Sequence, residues 1–258
     1  MKIDDIKISE AIIENYFKKF KDSLELDVAL VGAGPSNLVC GTILGEIGIK
    51  AAIFEAKLSP GGGMWGGGMM FNEIVVQKTA LDLLQKMGVD YKEYSEGYYT
   101  ADSVEATSTF ISKCVKSGTK IFNLIKVEDV MFREDKKGKR ISGLVLNWSP
   151  VVHIGLHVDP LTVRSKYVVD GTGHDAEICT IISKKTDSSL KVIGEMSMWA
   201  DRGEELTIEN ASEIYPGLYV TGMAANASKG APRMGPVFGG MILSGKKVAN
   251  EIIKKLKK

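Results

Sequence analysis

Residues 26–57 read LDVALVGAGPSNLVCGTILGEIGIKAAIFEAK, and this stretch decides the fold. An apolar run from Leu26 to Val31 has the look of a buried strand and enters a glycine turn. A helical stretch spans 35–48, and a second apolar strand at 50–57 carries Glu55 at its end. Together they form a β-α-β unit. Gly32 and Gly34 occupy the first two glycine positions of the dinucleotide fingerprint, with the strand before and the helix after that the fingerprint requires. The first glycine permits the tight turn. The second lets the backbone approach a pyrophosphate, and the free N–H groups and dipole at the helix start favour its charge. Asn37 stands where the third glycine, which serves helix–strand packing, is usual; this weakens the match to the fingerprint without removing the phosphate site and leaves the local helix packing open. Glu55 lies at the right remove to accept ribose hydroxyls.

These features specify an adenine dinucleotide and leave NAD and FAD both open. A late apolar strand and glycine turn, LYVTGMAANA at 218–227, resembles the second dinucleotide-contacting strand of two-dinucleotide-binding flavoproteins. The fold class expected is therefore α/β, a two-dinucleotide-binding, Rossmann-like FAD/NAD(P)-binding fold with a central parallel sheet and added β-strands.

Working outward, Ile12, Ile13, Tyr16, Phe17 and Phe20 repeat at helical spacing, which predicts a helix over 9–21 with Ser9 as its cap. It would form an N-terminal helical arm of about residues 1–25 on a single domain spanning 1–258. The segment LSPGGGMWGGGMMF, 58–71, holds six glycines between Gly61 and Gly68, but methionines and a tryptophan interrupt them. A linker would be polar. An ordered loop whose backbone lies close to a ligand fits better. Helices are expected at 79–88, 103–118, 176–185 and 239–257. Strands are expected at 119–132 and 140–148, joined by the charged turn REDKKGKR at 133–140, and at 166–170.

Composition narrows the function classes. The net charge is +1, which offers no broad electrostatic footprint for nucleic acid. The lysine-rich end, KKLKK, reads as a solvated helix terminus. No apolar run reaches membrane-spanning length, and the N-terminus lacks signal-peptide character. The cysteines are three, Cys40, Cys114 and Cys179, with no CxxC spacing. This argues against a disulfide framework and a cysteine zinc site, and implies a reducing, cytoplasmic setting.

The chain has only three histidines, His153, His157 and His174, all within a short span. His157 and Asp159 are two apart and share a side of an extended segment; Pro160 biases Asp159 away from helix. His174 follows DGTG at the mouth of a strand. One carboxylate and one or two imidazoles converging there would suit a divalent transition metal with open positions, iron among them. Two protein ligands are too few for structural zinc. Satisfied structural histidines are the alternative.

The segments GAGPSN, FEAKLSPGGGMWGGGMMF, HVDP, DGTGHDAE and GMAANASKGAPRMGPVFGGMILSGKKVA resemble the thiamine thiazole synthase family in its archaeal form, and the resemblance covers nearly the whole chain. It implies that NAD is consumed as a substrate. ADP-ribose released from NAD condenses with glycine, sulfur is added, and loss of water yields an ADP-linked thiazole carboxylate. Eukaryotic members place a sulfur-donating cysteine two residues before the Asp-Pro and work once. His157 stands there here, so the resemblance implies exogenous sulfide and repeated turnover. It further implies Fe(II) held by Asp159 and His174, glycine carboxylate held by Arg233, and catalytic roles for His157, Asp159 and His174. Ser36, Glu55, Ala56, Gly63, Val127 and Met223 would join Gly32 and Gly34 around NAD. Gly155, Leu156 and His157 would complete a neighbouring subunit's site, within a homo-oligomer that is an octamer in the family.

Two other functions share these motifs. A flavin-dependent oxidoreductase of the same fold would retain FAD. A non-catalytic NAD or ADP-ribose binding protein would not depend on Asp159 or His174.

Overall fold

The computed structural model describes residues 2–136 and 138–257. Residue 137, inside the expected charged turn, and the last lysine of the tail lie outside them. The chain opens with α1 (Asp5–Lys21), β1 (Glu25–Val31), α2 (Pro35–Glu46) and β2 (Ala51–Glu55). Next come β3 (Glu73–Gln77), α3 (Leu81–Met87), β4 (Lys92–Ser95), β5 (Tyr98–Asp102), α4 (Ser103–Lys116) and β6 (Lys120–Asn123). A hairpin of β7 (Ile125–Asp135) and β8 (Gly138–Trp148) leads through α5 (Ser149–His153) to β9 (Leu161–Asp170) and α6 (Glu177–Lys185). The chain then forms α7 (Ala200–Asn210), β10 (Glu213–Tyr215), β11 (Leu218–Val220), α8 (Met223–Lys229) and α9 (Gly239–Leu256).

The main sheet runs β10-β11-β9-β1-β2-β6, parallel except at β10. β1 lies at its centre, in register with β2 (Val28 opposite Ala51) and with β9 (Val28 opposite Tyr167). A central parallel strand is covered on both faces, which explains its continuous apolar run. β9 divides its other edge. Its first residues pair antiparallel with β8, and Val168–Asp170 pair with β11. The β7–β8 hairpin is thus the added antiparallel element of an α/β sheet, as expected for this fold class. A separate three-stranded sheet, β3-β5-β4, stands beside it.

The turn between β1 and α2 is held by a device that the fingerprint does not describe. Asn37 is fully buried. Its Nδ2 donates to the carbonyls of Val31 and Gly32, each at 2.8 Å, and its Oδ1 accepts from Thr221 Oγ1 at 3.0 Å. The helix packing left open at this position is therefore close. The amide fills the site of the third glycine and ties β1 to the end of β11. Space for it comes from Gly171, where a Cβ would lie 2.4 Å from Asn37 Nδ2. The helices α2 and α9 meet as closely, since a Cβ on Gly245 would fall 2.0 Å from the Ser36 carbonyl oxygen.

The first helix begins earlier than its apolar periodicity implied. Asp4, not Ser9, caps it, accepting from the N–H groups of Ile6 and Lys7. Ser9 instead donates back to the Asp5 carbonyl. Phe20 is buried and stacks with Tyr16 and, edge-on, with Phe122. Ile6, Ile12, Ile13 and Phe17 remain exposed.

Glu204 on α7 is buried and accepts from the Gly240 N–H at the start of α9. Burial raises its carboxyl above the usual range. The neutral acid is the form the fold favours, so its contribution is complete in acid and falls as pH rises through the raised value. Glu204→Gln is expected to flatten the stability loss that sets in as pH rises above the ordinary carboxylate range, about pH 4. Denaturant midpoints for both proteins across that rise check this.

Candidate functional site

A cavity of about 730 Å³ opens at the carboxyl ends of β1, β2 and β9. This is where open α/β sheets bind ligands. Its floor is the β1–α2 turn. Gly32 has φ +84°, and a side chain there would meet the Gly171 carbonyl at 2.7 Å. Gly34 precedes α2, which begins with Pro35 and has no side-chain cap and no acid in its first turn. The N–H groups of that turn are therefore free to meet an anion. Glu55 is buried at the end of β2. Its Oε2 accepts from Ala33 N–H and its Oε1 from Lys57 N–H, both at 2.7 Å. Each oxygen keeps a lone pair for a ribose hydroxyl.

The glycine-rich loop forms the facing wall, and it is ordered, as expected. A 3₁₀ turn spans Gly62–Gly66, Met64 is buried, and Trp65 Nε1 donates to the Pro60 carbonyl at 2.6 Å. Gly61 N–H donates to the Ala33 carbonyl at 2.8 Å, and a Cβ on Gly62 would lie 3.2 Å from Gly34 Cα. Two backbones thus approach with no side chains between them, a groove suited to a pyrophosphate. Met69 and Met70 follow with φ of 57° and 61°, both exposed at the tip.

His174 and Arg233 also line the cavity. His174 sits in the turn after β9, which Asp170 braces. The buried Asp170 carboxylate accepts from the N–H groups of Thr172, Ile178 and Cys179 and from the Thr172 hydroxyl. Arg233 is placed by a short parallel pairing of 194–199 with 231–233: Met196 N–H donates to the Ala231 carbonyl at 3.0 Å, and Trp199 N–H to the Arg233 carbonyl at 3.0 Å. The same pairing brings in Glu195. Its Oε2 contacts His174 Nδ1 and lies 3.5 Å from Arg233 Nε. Sequence reasoning missed Glu195, because VIGEMSMWA has no periodicity or motif to mark it.

Of the residues singled out from sequence, Gly32, Gly34, Ser36, Glu55, Ala56, Gly63, Val127, Met223, His174 and Arg233 line this one cavity. Gly155, Leu156, His157 and Asp159 do not; they lie on an exposed run, 153–162, beside Ile154, Val158 and Leu161. The three histidines are not drawn together within the chain. His153 ends α5 and is exposed. Among the described residues, no group of three or more His, Cys, Asp or Glu side chains is gathered to hold a metal. The nitrogen of His174 and carboxylate oxygens are still the donor chemistry that Fe(II) accepts. Asp159, expected to share a metal with His174, lies outside the cavity, whose lining includes Glu55, Asp175 and Glu177. No helix among the described residues is long and apolar enough to cross a membrane.

The family model described as the Thi4 family matches residues 9–238. Thiamine thiazole synthase of Pyrococcus furiosus is 56% identical over 254 residues, covering 98% of this chain and 99% of that protein. The protein of the same name from Methanothermobacter thermautotrophicus is 56% identical over 262 residues and covers 100% of both chains. The crystal structure of Thermovibrio ammonificans THI4 superposes with a TM-score of 0.98 at 52% identity over 100% of both chains. Motif, topology and full-length likeness agree, and the chain belongs to the Thi4 family of thiamine thiazole synthases.

Proposed function

We propose that the protein makes an ADP-linked thiazole carboxylate, the thiamine thiazole precursor, from NAD, glycine and exogenous sulfide. The reaction depends on Fe(II), and each active site turns over repeatedly. The observation that carries this reading is the single cavity lined together by Glu55, the bare glycine groove, His174 and Arg233.

Glu55 holds the adenosine ribose, and the α2 terminus and the Gly61–Gly63 backbone hold the pyrophosphate. The nicotinamide-bearing ribose then reaches His174. Arg233 holds the glycine carboxylate, its planar fork matching two oxygens where an ammonium would match one. His174 and Asp159 hold Fe(II), Asp159 arriving from a neighbouring copy of the chain. Bound Fe(II) supplies Lewis-acid and templating chemistry. The exposed run carrying Gly155, Leu156, His157 and Asp159 supports this sharing. Ile154, Leu156, Val158 and Leu161 are exposed along this run, as are Ile6, Ile12, Ile13 and Phe17 along α1, and gathered exposed apolar side chains mark an interface. The assembly is a homo-oligomer, an octamer by family.

The cysteines support an external sulfur source. All three are buried. Burial pushes the Cys114 thiol up to about 12 and raises Cys40 and Cys179 further, Cys179 also through Asp170 beside it. Thiolate is the reactive form, so none is poised to give up sulfur. Anaerobic incubation with NAD, glycine, sulfide and Fe(II) is expected to yield more than one thiazole nucleotide per chain, detected by mass. The native protein should keep its mass throughout and keep its rate after iodoacetamide treatment. Product formed without sulfide, with loss of sulfur mass from the protein, overturns the reading.

A further inference from the structure

We propose that Glu195 is a positioning residue for both halves of the site: it orients the His174 ring toward the metal and the Arg233 guanidinium toward the glycine carboxylate. The inference rests on the reading above and adds a residue to it.

Three observations carry it. First, the Glu195 side chain is 8% exposed, whereas those of His174 and Arg233 are 54% and 57% exposed. The carboxylate is the enclosed member and the other two are the exposed ones. Its backbone is clamped on both sides: Gly194 N–H donates to the Ala227 carbonyl at 2.9 Å and Met196 N–H to the Ala231 carbonyl at 3.0 Å. Second, the atoms used are those the chemistry can spare. His174 is engaged through Nδ1, which leaves Nε2 as the nitrogen it can offer to the cavity. A carboxylate on one ring nitrogen selects the tautomer whose other nitrogen carries the free lone pair, the arrangement that supports metal-bound imidazoles. Arg233 is engaged through Nε, which leaves its two terminal nitrogens for a bidentate carboxylate. Third, Glu195 Oε1 is buried and has no hydrogen-bond partner among the described residues. A lone ion pair on the surface would not leave a carboxylate oxygen so enclosed, because an unmet buried acceptor is costly. A group that completes the site would meet it.

The test uses the full-length assembly under anaerobic conditions and compares wild type with Glu195→Ala, Glu195→Gln and His174→Ala. Fe(II) alone is titrated, and the glycine KM is measured separately. NAD binding confirms that each variant is folded. Glu195→Ala is expected to weaken Fe(II) binding by about 10–100-fold, the usual effect of losing a partner behind a metal ligand. It is also expected to raise the glycine KM by about 2–10-fold as Arg233 loses its orientation. Glu195→Gln keeps an acceptor oxygen for Nδ1–H and should recover most of both losses. If the alanine variant binds Fe(II) and glycine like wild type, the proposal is wrong. If the glutamine variant is as weak as His174→Ala, Glu195 is itself a ligand and the positioning role is wrong. If His174→Ala still binds Fe(II) as wild type does, the metal reading itself falls, and this inference falls with it.

Discussion

Asp159→Ala and His174→Ala, each assembled alone, are expected to form thiazole nucleotide about a thousandfold more slowly than wild type, since on the proposed reading each loses an Fe(II) ligand and with it several kcal/mol of Lewis-acid stabilisation, at about 1.4 kcal/mol per decade of rate. Coexpressed, the same two inactive chains should regain activity. The reason is where the residues lie. His174 lines the cavity of its own chain, whereas Asp159 sits on the exposed 153–162 run outside it. A site that takes His174 from an Asp159→Ala chain and Asp159 from a His174→Ala neighbour has both ligands. Random assembly makes about a quarter of the sites whole in this way. Rates of coexpressed, doubly tagged assemblies measure this. Silence in the mixture would show that the sites are not shared, and full rates in the single variants would remove both residues from the chemistry. NAD affinity should stay near wild type throughout, because Glu55 and the glycine groove are untouched.

Gly245→Ala is expected to damage stability more than any other single methyl group placed on the α2–α9 contact. The added carbon would fall 2.0 Å from the Ser36 carbonyl, a rigid backbone atom that cannot turn away. The helices must separate, at a cost on the order of 3–4 kcal/mol, near the top of the range for overpacking and single substitutions. For a chain of this size that is about a 10 °C fall in Tm. Because α2 carries the phosphate-facing turn, NAD binding should weaken as well. Gly66→Ala is the matched control: its Cβ meets no atom within 4 Å and its φ is not positive. Its Tm should stay within a degree or two, as for ordinary surface substitutions of about 0.5 kcal/mol. Equal melting of the two variants would refute the packing argument.

The parts of the fold that could be read from sequence are those where one physical signal dominates. β1, α2 and β2 announce themselves because a doubly covered parallel strand is continuously apolar and its turn needs glycine. β9 was legible only in its second half, as the run YVVD. Its first half alternates, with Val163 and Ser165 buried between exposed Thr162, Arg164 and Lys166, because only one face is covered there. The three-stranded β3-β5-β4 sheet went unread: its strands are short and β4 is fully exposed. α7, ADRGEELTIEN, is too polar to show an apolar stripe. The cavity's nucleotide site was visible in GAGPSN and Glu55. The site around His174 was visible only in part, since Glu195 reaches it through pairing between segments some 35 residues apart, and no local pattern encodes that.

The exchange of volume between Asn37 and Gly171 limits how this sequence can drift. Any side chain at 171 collides with the amide while asparagine stays, and removing the amide first strands the Thr221 hydroxyl and two backbone carbonyls. Each lost buried partner costs about 1–3 kcal/mol, so the permitted order of steps passes through a weakened ancestor. The two loci are epistatic. While asparagine stays at 37, position 171 is held to glycine.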